Sequence, residues 1–253
     1  MIKKIFGFIL LACIILVMIL SVKEAVLNNP EGILKRLPKQ EGNIFTKGKE
    51  LVFLVKYMGI IPVGKAKIIV GGLTNYNGRD VYRLVVEAET QGFVSIFYKA
   101  RARIESYMDK NKLHSLRYTE NIILPDKGTE TKEIIYDQDN LIMIRKDFKR
   151  KILPNTQDPL SAIFYLRTQD FNIGESFIIN TITKEEIYEL KANVFKKEGD
   201  IWMLKITVAR KNKSSYHGGN FSVWITDDAM RLPLLIKGWT QVGLITMRLV
   251  NIK

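Results

Sequence analysis

Cysteine is nearly absent: the 253-residue chain has one, Cys13. A disulfide framework is therefore excluded. So are thiolate zinc sites and cysteine nucleophiles in the body of the protein. Histidine is scarce as well, with only His114 and His217. No Cys–His or His-x-His spacing exists, so a transition-metal site has no ligand set and no metal is expected. No complete phosphate loop of the form G-x-x-x-x-G-K-[ST] is present, and no G-x-G-x-x-G. Nothing calls for a cofactor.

Acidic residues are in short supply. Against 39 Lys and Arg stand 26 Asp and Glu, a formal charge of +13. Lys3, Lys4 and Lys23 against Glu24 give the first 28 residues +2, which leaves +11 on the remainder. An anionic membrane or envelope surface is a fitting partner for that excess. Nucleic acid is not expected, because the basic residues are scattered and alternate with Glu and Asp. The densest run, Arg145 to Lys151, precedes Pro154 at what looks like a solvated strand end.

Long apolar runs are confined to the N-terminus. Lys3-Lys4 precede Ile5 to Val22, which carries no charge. A positive start and an apolar core form the pattern of an export signal. The core also reaches the length that spans a bilayer, about 20 residues. Ser21-Val22-Lys23-Glu24-Ala25 matches a cleavage site poorly, so residues 1–28 read as a signal peptide or a signal-anchor forming an apolar helix. Leu10-Leu11-Ala12-Cys13 is no lipobox, since Ile14 to Val17 continue the apolar run; Cys13 reads as membrane-buried. Lys3 and Lys4 stay inside by the positive-inside tendency, which exports the body to the periplasm, free or anchored to the inner membrane. Residues 29–47, with Pro30, Pro38 and Gly42, read as a tether or loosely packed lead-in with a short helix around Glu31 to Leu37.

From residue 48 to 253 the apolar residues recur with period two, which marks strands with one face buried. Strands fit Leu51–Tyr57, Lys65–Val70, Val81–Thr90, Phe97–Met108, Ser115–Ile123, Thr129–Tyr136 and Leu141–Phe148. After a break they fit Ser176–Thr183, Ile187–Phe195, Ile201–Arg210, Phe221–Thr226, Leu232–Lys237 and Leu244–Ile252. Gly71-Gly72, Asn77-Gly78 and Asp137 to Asn140 read as turns. The break is a helix: Asp158 suits its N-cap, Pro159 its first position, and Leu160, Ile163 and Phe164 share a face. So many antiparallel strands cannot stay flat and open. A mainly β fold is expected, a curved antiparallel sheet closing into a barrel or half-barrel, with a sandwich as the alternative, and one short helix plugging the open side.

Candidate chemistry is thin. Ser161 follows Asp158 at cap spacing, and nothing brings a histidine to it as a base. His217 sits in a turn-like stretch. Asp137, Asp139, Asp227 and Asp228 lack the twelve-residue calcium loop and suit turns. Glu87 with Glu89, and Glu185 with Glu186, suit wet strand faces. Two rows stand out. Tyr82, Leu84 and Val86, with Ala100, Ala102 and Ile104, point to one face and line either a packed core or a ligand cavity. Lys99, Arg101 and Arg103 point to the other. They suit phosphate or an anionic headgroup, or simply a wet strand paired with glutamates across the ladder.

Three segments carry a resemblance. Tyr57 to Ala66, with Gly59 and Gly64, is an aromatic strand, a glycine, then V-G-x-A. Asp158-Pro159-Leu160-Ser161 with Tyr165-Leu166-Arg167 is a D-x-x-S-x-x-x-Y-x-R helix. Val223 to Asp228 with Arg231-Leu232-Pro233 and Gly243 is a strand–turn–strand that includes Trp224, Asp228 and Pro233. In this order the set resembles the DUF3108 family, over residues 48 to 253. The resemblance implies an exported or membrane-attached envelope protein with a β-rich fold akin to lipid-carrying half-barrels, and supplies no catalytic residues.

The expectation is a non-enzymatic envelope protein that binds a lipid, another hydrophobic ligand or an envelope protein on a curved sheet. The alternatives are an assembly factor contacting anionic envelope components, and an envelope hydrolase.

Overall fold

The computed structural model describes residues 29–183, 186–210, 219–240 and 243–253. The expected N-terminal apolar helix and Cys13 lie outside these residues, as do Glu185 and His217. Among the described residues no helix is long and apolar enough to cross a membrane.

The first half contains helix α1 (Pro30–Leu34) and strands β1 (Glu50–Tyr57), β2 (Ile61–Tyr76) and β3 (Arg79–Thr90). Helix α2 (Val94–Phe97) then precedes β4 (Arg101–Asp109), β5 (Ser115–Leu124), β6 (Gly128–Asp137), β7 (Ile142–Arg145) and β8 (Phe148–Lys151). Helix α3 (Pro159–Arg167) leads to β9 (Ser176–Thr183), β10 (Glu186–Glu198), β11 (Ile201–Arg210), β12 (Asn220–Thr226), β13 (Pro233–Thr240) and β14 (Gly243–Ile252).

The fourteen strands of the described residues form one sheet in the order β8-β7-β6-β5-β4-β3-β2-β1-β14-β13-β12-β11-β10-β9. The chain walks outward from the middle to one edge, crosses through α3, and walks back from the other edge. The ladder is antiparallel throughout. It does not close: β8 and β9 are its two ends, which corrects the full-barrel form of the expected barrel or half-barrel.

The ends still meet. Gln157 forms a lone parallel bridge to Thr181, and Arg150 of β8 lies 3.6 Å from Glu186 of β10. Register explains why no ladder forms there. Ile179 faces the core that α3 covers, with Ala192 and Leu204. Ile182, three residues on and so on the other face of β9, packs with Tyr118, Ile134, Tyr136 and Met143. The sheet therefore rolls past itself, with the outside of β9 laid on the inside of β5–β7. Edge exposure is avoided by overlap instead of by pairing.

One expected turn and one expected strand differ. Gly71-Gly72 does not end a strand; Gly72 at φ +89° makes a bulge against Arg83, and β2 runs on to Tyr76. The expected single strand Leu141–Phe148 is a hairpin, bent at Lys146 with φ +50°.

Candidate ligand cup

The inner face is defined by register: Leu84 opposes Ser106, and Ser106 opposes Tyr118. One end of the roll is plugged. Asp158 is the N-cap of α3, and its Oδ1 accepts from the Leu160 and Ser161 amides at 2.7 and 2.9 Å. Its Oδ2 accepts from Ser106 and Ser115, each at 2.6 Å. Ser115 Oγ lies 2.5 Å from Ser161 Oγ. Asp158 and these three serines are fully buried. Burial pushes the Asp158 carboxyl up, and its donors act in the opposite direction.

The far end of α3 is pinned by Arg167, also fully buried. Its Nε donates to the Arg231 carbonyl at 2.9 Å and its Nη2 to the Met230 carbonyl at 2.8 Å. Burial brings the guanidinium down to about 10, with Asp228 opposing. Asp228 shapes that turn by accepting from Thr226 Oγ1 and the Met230 and Arg231 amides. The segment expected as a tether supplies the rest of the plug: Phe45 stacks on Tyr82 at 3.9 Å and on Phe164 at 5.8 Å. Its short helix α1 lies against β13 and β14 with Ile33 buried.

Along each inner row, burial falls away from this plug. Leu84 is fully buried; Val86 and Ala88 are half-buried. Met108 and Ser106 give way to half-buried Ile104 and Ala102. Phe53 gives way to Val55 and Tyr57, Leu249 to Met247 and Ile245, and Ile225 and Val223 to Phe221. The inner wall thus has the outline of a cup, fully packed at its base and less buried toward its far end, where Val55, Val86, Ile104 and Met247 still pack against the core. On one wall the lining turns polar: Lys132 sits 4.0 Å from Glu120, and the Tyr118 hydroxyl donates to Glu120 at 3.2 Å.

The expected inner rows are thus divided. Tyr82 and Leu84 belong to the packed base, and Val86, Ala102 and Ile104 to the open half. Ala100 precedes β4 and lies in the connection from α2. Val55, Met247 and Phe221 were missed as lining. Their alternation was readable, but which end of each strand is open depends on where α3 and Phe45 sit.

The expected basic row lies outside. Lys99 precedes β4, while Arg101 and Arg103 oppose Glu89 and Glu87 across the ladder. Arg101 and Arg103 border a groove of about 750 Å3 on the outer face, together with Lys65, Lys67 and Asn121. Several of its charges are engaged with one another or with neighbours: Lys67–Glu87 at 2.8 Å, Arg103–Glu105 at 2.9 Å, Arg101–Glu89 at 4.0 Å, and Arg103 with Glu87. The hydrogen bond from Lys67 holds the Glu87 carboxyl below its ordinary value.

The remaining motif residues are structural. Gly59 takes φ +75° in the β1–β2 turn. A Cβ on Gly64 would lie 2.7 Å from the Glu89 carbonyl oxygen. Gly59 to Lys65 has the spacing of a partial phosphate loop, but Ala66 stands where a hydroxyl is needed, and the segment is a β-hairpin. Tyr165 packs against the core, Trp224 lies under Lys237 at 5.3 Å, and Pro233 starts β13. Among the described residues no group of three His, Cys, Asp or Glu side chains is placed to hold a metal.

These features define a class: a rolled, barrel-like antiparallel β-protein with a plugged base and an apolar mouth. A crystal structure of a β-barrel-like protein of domain of unknown function DUF1849 from Brucella abortus has this fold, with a TM-score of 0.52 at 7% identity, covering 81% of this chain and 96% of that one. A DUF1089 family protein from Pseudomonas aeruginosa aligns at a TM-score of 0.40 and 9% identity, over 79% and 95% of the two chains. No curated protein sequence matches. The chain belongs to the DUF3108 family, proteins of unknown function, whose model matches residues 52–250.

Proposed function

We infer that this protein binds a lipid-like, amphipathic molecule in the open half of the cup, without catalysis, at the periplasmic side of the envelope. The observation that carries this reading is the burial gradient. An inner wall that is tightly packed at Leu84 and Met108 stays apolar but only half-buried at Val86, Ile104, Val55 and Met247, which edge the core. Apolar concave walls with a few polar groups are the usual build of a small-molecule site. Glu120 and Lys132 supply the polar part, suited to a headgroup. The basic net charge and the apolar leader support placement at a membrane.

Catalysis has no support in the geometry. Ser161 Oγ is buried and bonded within the helix cap. The paired charges of the outer groove likewise leave the anionic-polymer reading without a specific observation in its favour.

The test is lipid mass spectrometry on the full chain beside Ala102→Trp and Val86→Trp, which fill the mouth. The reading expects less co-purified lipid per protein in both variants at an unchanged thermal midpoint. Equal lipid in all three proteins overturns it.

A further inference from the structure

The connection between β3 and β4 is an apolar prong. Phe93, Ile96 and Phe97 are 60%, 73% and 65% exposed, and Tyr98 continues the run. Phe93 and Phe97 touch only edge to ring, at 4.9 Å. A fold that buries apolar surface elsewhere pays to keep such side chains in water, so the prong calls for a covering partner.

Position says more. The prong lies at the mouth end of the roll, with the β1–β2, β5–β6, β7–β8 and β13–β14 turns. Further exposed apolar side chains sit at that end, among them Met58, Phe148 and Trp239. Between them the exposed loop cations Lys99, Lys127 and Lys146 outnumber the exposed loop acids Asp126 and Asp147. Aromatic side chains ringed by lysines match the interface of an anionic bilayer, where rings sit at headgroup level and cations meet phosphates. A second protein copy fits poorly, since a stable interface uses about 20–30 residues a side, and this prong is six residues long.

We propose that the rim of the cup docks on the surface of an anionic lipid bilayer, with Phe93, Ile96 and Phe97 entering the interface and the lysines contacting headgroups. The mouth then faces the membrane. This inference stands on the outer rim and not on the cup lining.

The single cysteine makes the test direct. The full chain carrying Cys13→Ser and Ile96→Cys is labelled with a nitroxide and reconstituted in vesicles containing phosphatidylglycerol. A second protein carries the label through Leu73→Cys, an exposed apolar position at the plugged end. Oxygen and nickel-complex accessibility then give the depth of each label. The expected result is an Ile96 label below the headgroups and a Leu73 label in water. Adding Lys99→Glu and Lys146→Glu, or replacing phosphatidylglycerol by phosphatidylcholine, is expected to lift the Ile96 label out. A water-exposed Ile96 label in anionic vesicles overturns the proposal, and so does spin–spin broadening in solution, which would mark a second copy. Docking without lipid in the cup would defeat the binding reading alone. Lipid in the cup without docking would defeat this proposal alone.

Discussion

Ser115 and Asp158, 43 residues apart in sequence, meet inside the roll, where the serine hydroxyl donates to the carboxylate at 2.6 Å. The same hydroxyl accepts from the Asp158 amide at 2.6 Å. This reciprocal pair ties the start of α3 to β5, and Ser106 ties it to β4. The helix can plug the base only because its N-terminus is held this way. Replacing Asp158 by Ala removes the cap and strands buried hydroxyls, at a cost of about 2–4 kcal/mol. Urea unfolding checks this, and a loss under about 0.5 kcal/mol would contradict it.

At the other end of the helix the geometry of Arg167 matters more than its charge. Its two hydrogen bonds reach two successive carbonyls, Met230 and Arg231. A lysine keeps the charge but cannot span both from one planar fork. Arg167→Lys is therefore expected to destabilise by about 2–3 kcal/mol, close to Arg167→Met. Thermal unfolding of the pair measures the difference, and a neutral Arg167→Lys would show that charge alone suffices.

His114 gives a pH dependence. Burial lowers its pKa from 6.5, while the bond to Asn155 and the charge of Asp109 oppose. The folded state therefore holds fewer protons than the unfolded state in the window below 6.5. The histidine's contribution is present above 6.5 and is lost as pH falls through its depressed folded value. Urea midpoints are expected to drop between pH 7.5 and pH 5.5, and His114→Gln to flatten that drop. An unchanged slope in the variant would contradict the assignment.

Much of the fold was legible. Period-two alternation marked Ile201–Arg210 to the residue, and the cap chemistry of Asp158 and Pro159 placed α3. Where the reading failed, local signals were ambiguous. Phe97 and Tyr98 have strand-type side chains, yet no neighbouring strand pairs with them, and Val94–Phe97 turns as a short helix. Gly71-Gly72 permits a turn or a bulge, and the continuing partner β3 selects the bulge. The overlap of β9 on β5–β7 rests on contacts between residues such as Ile182 and Tyr136, which no local pattern reports. The cup was half legible for the same reason. Alternation named the inner rows, but only the long-range seating of Phe45 and α3 decides which half is filled.

Photocrosslinking tests the central claim most directly. The full chain in bilayers is irradiated with a diazirine-bearing phospholipid, and labelled residues are mapped by peptide mass spectrometry. Labelling is predicted on the inward residues of the open half, Val55, Val86, Ile104 and Met247, and on none of the base residues Leu84, Met108 or Phe53. Labels confined to outward positions such as Val250 and Ile178 would contradict a lipid-binding cup.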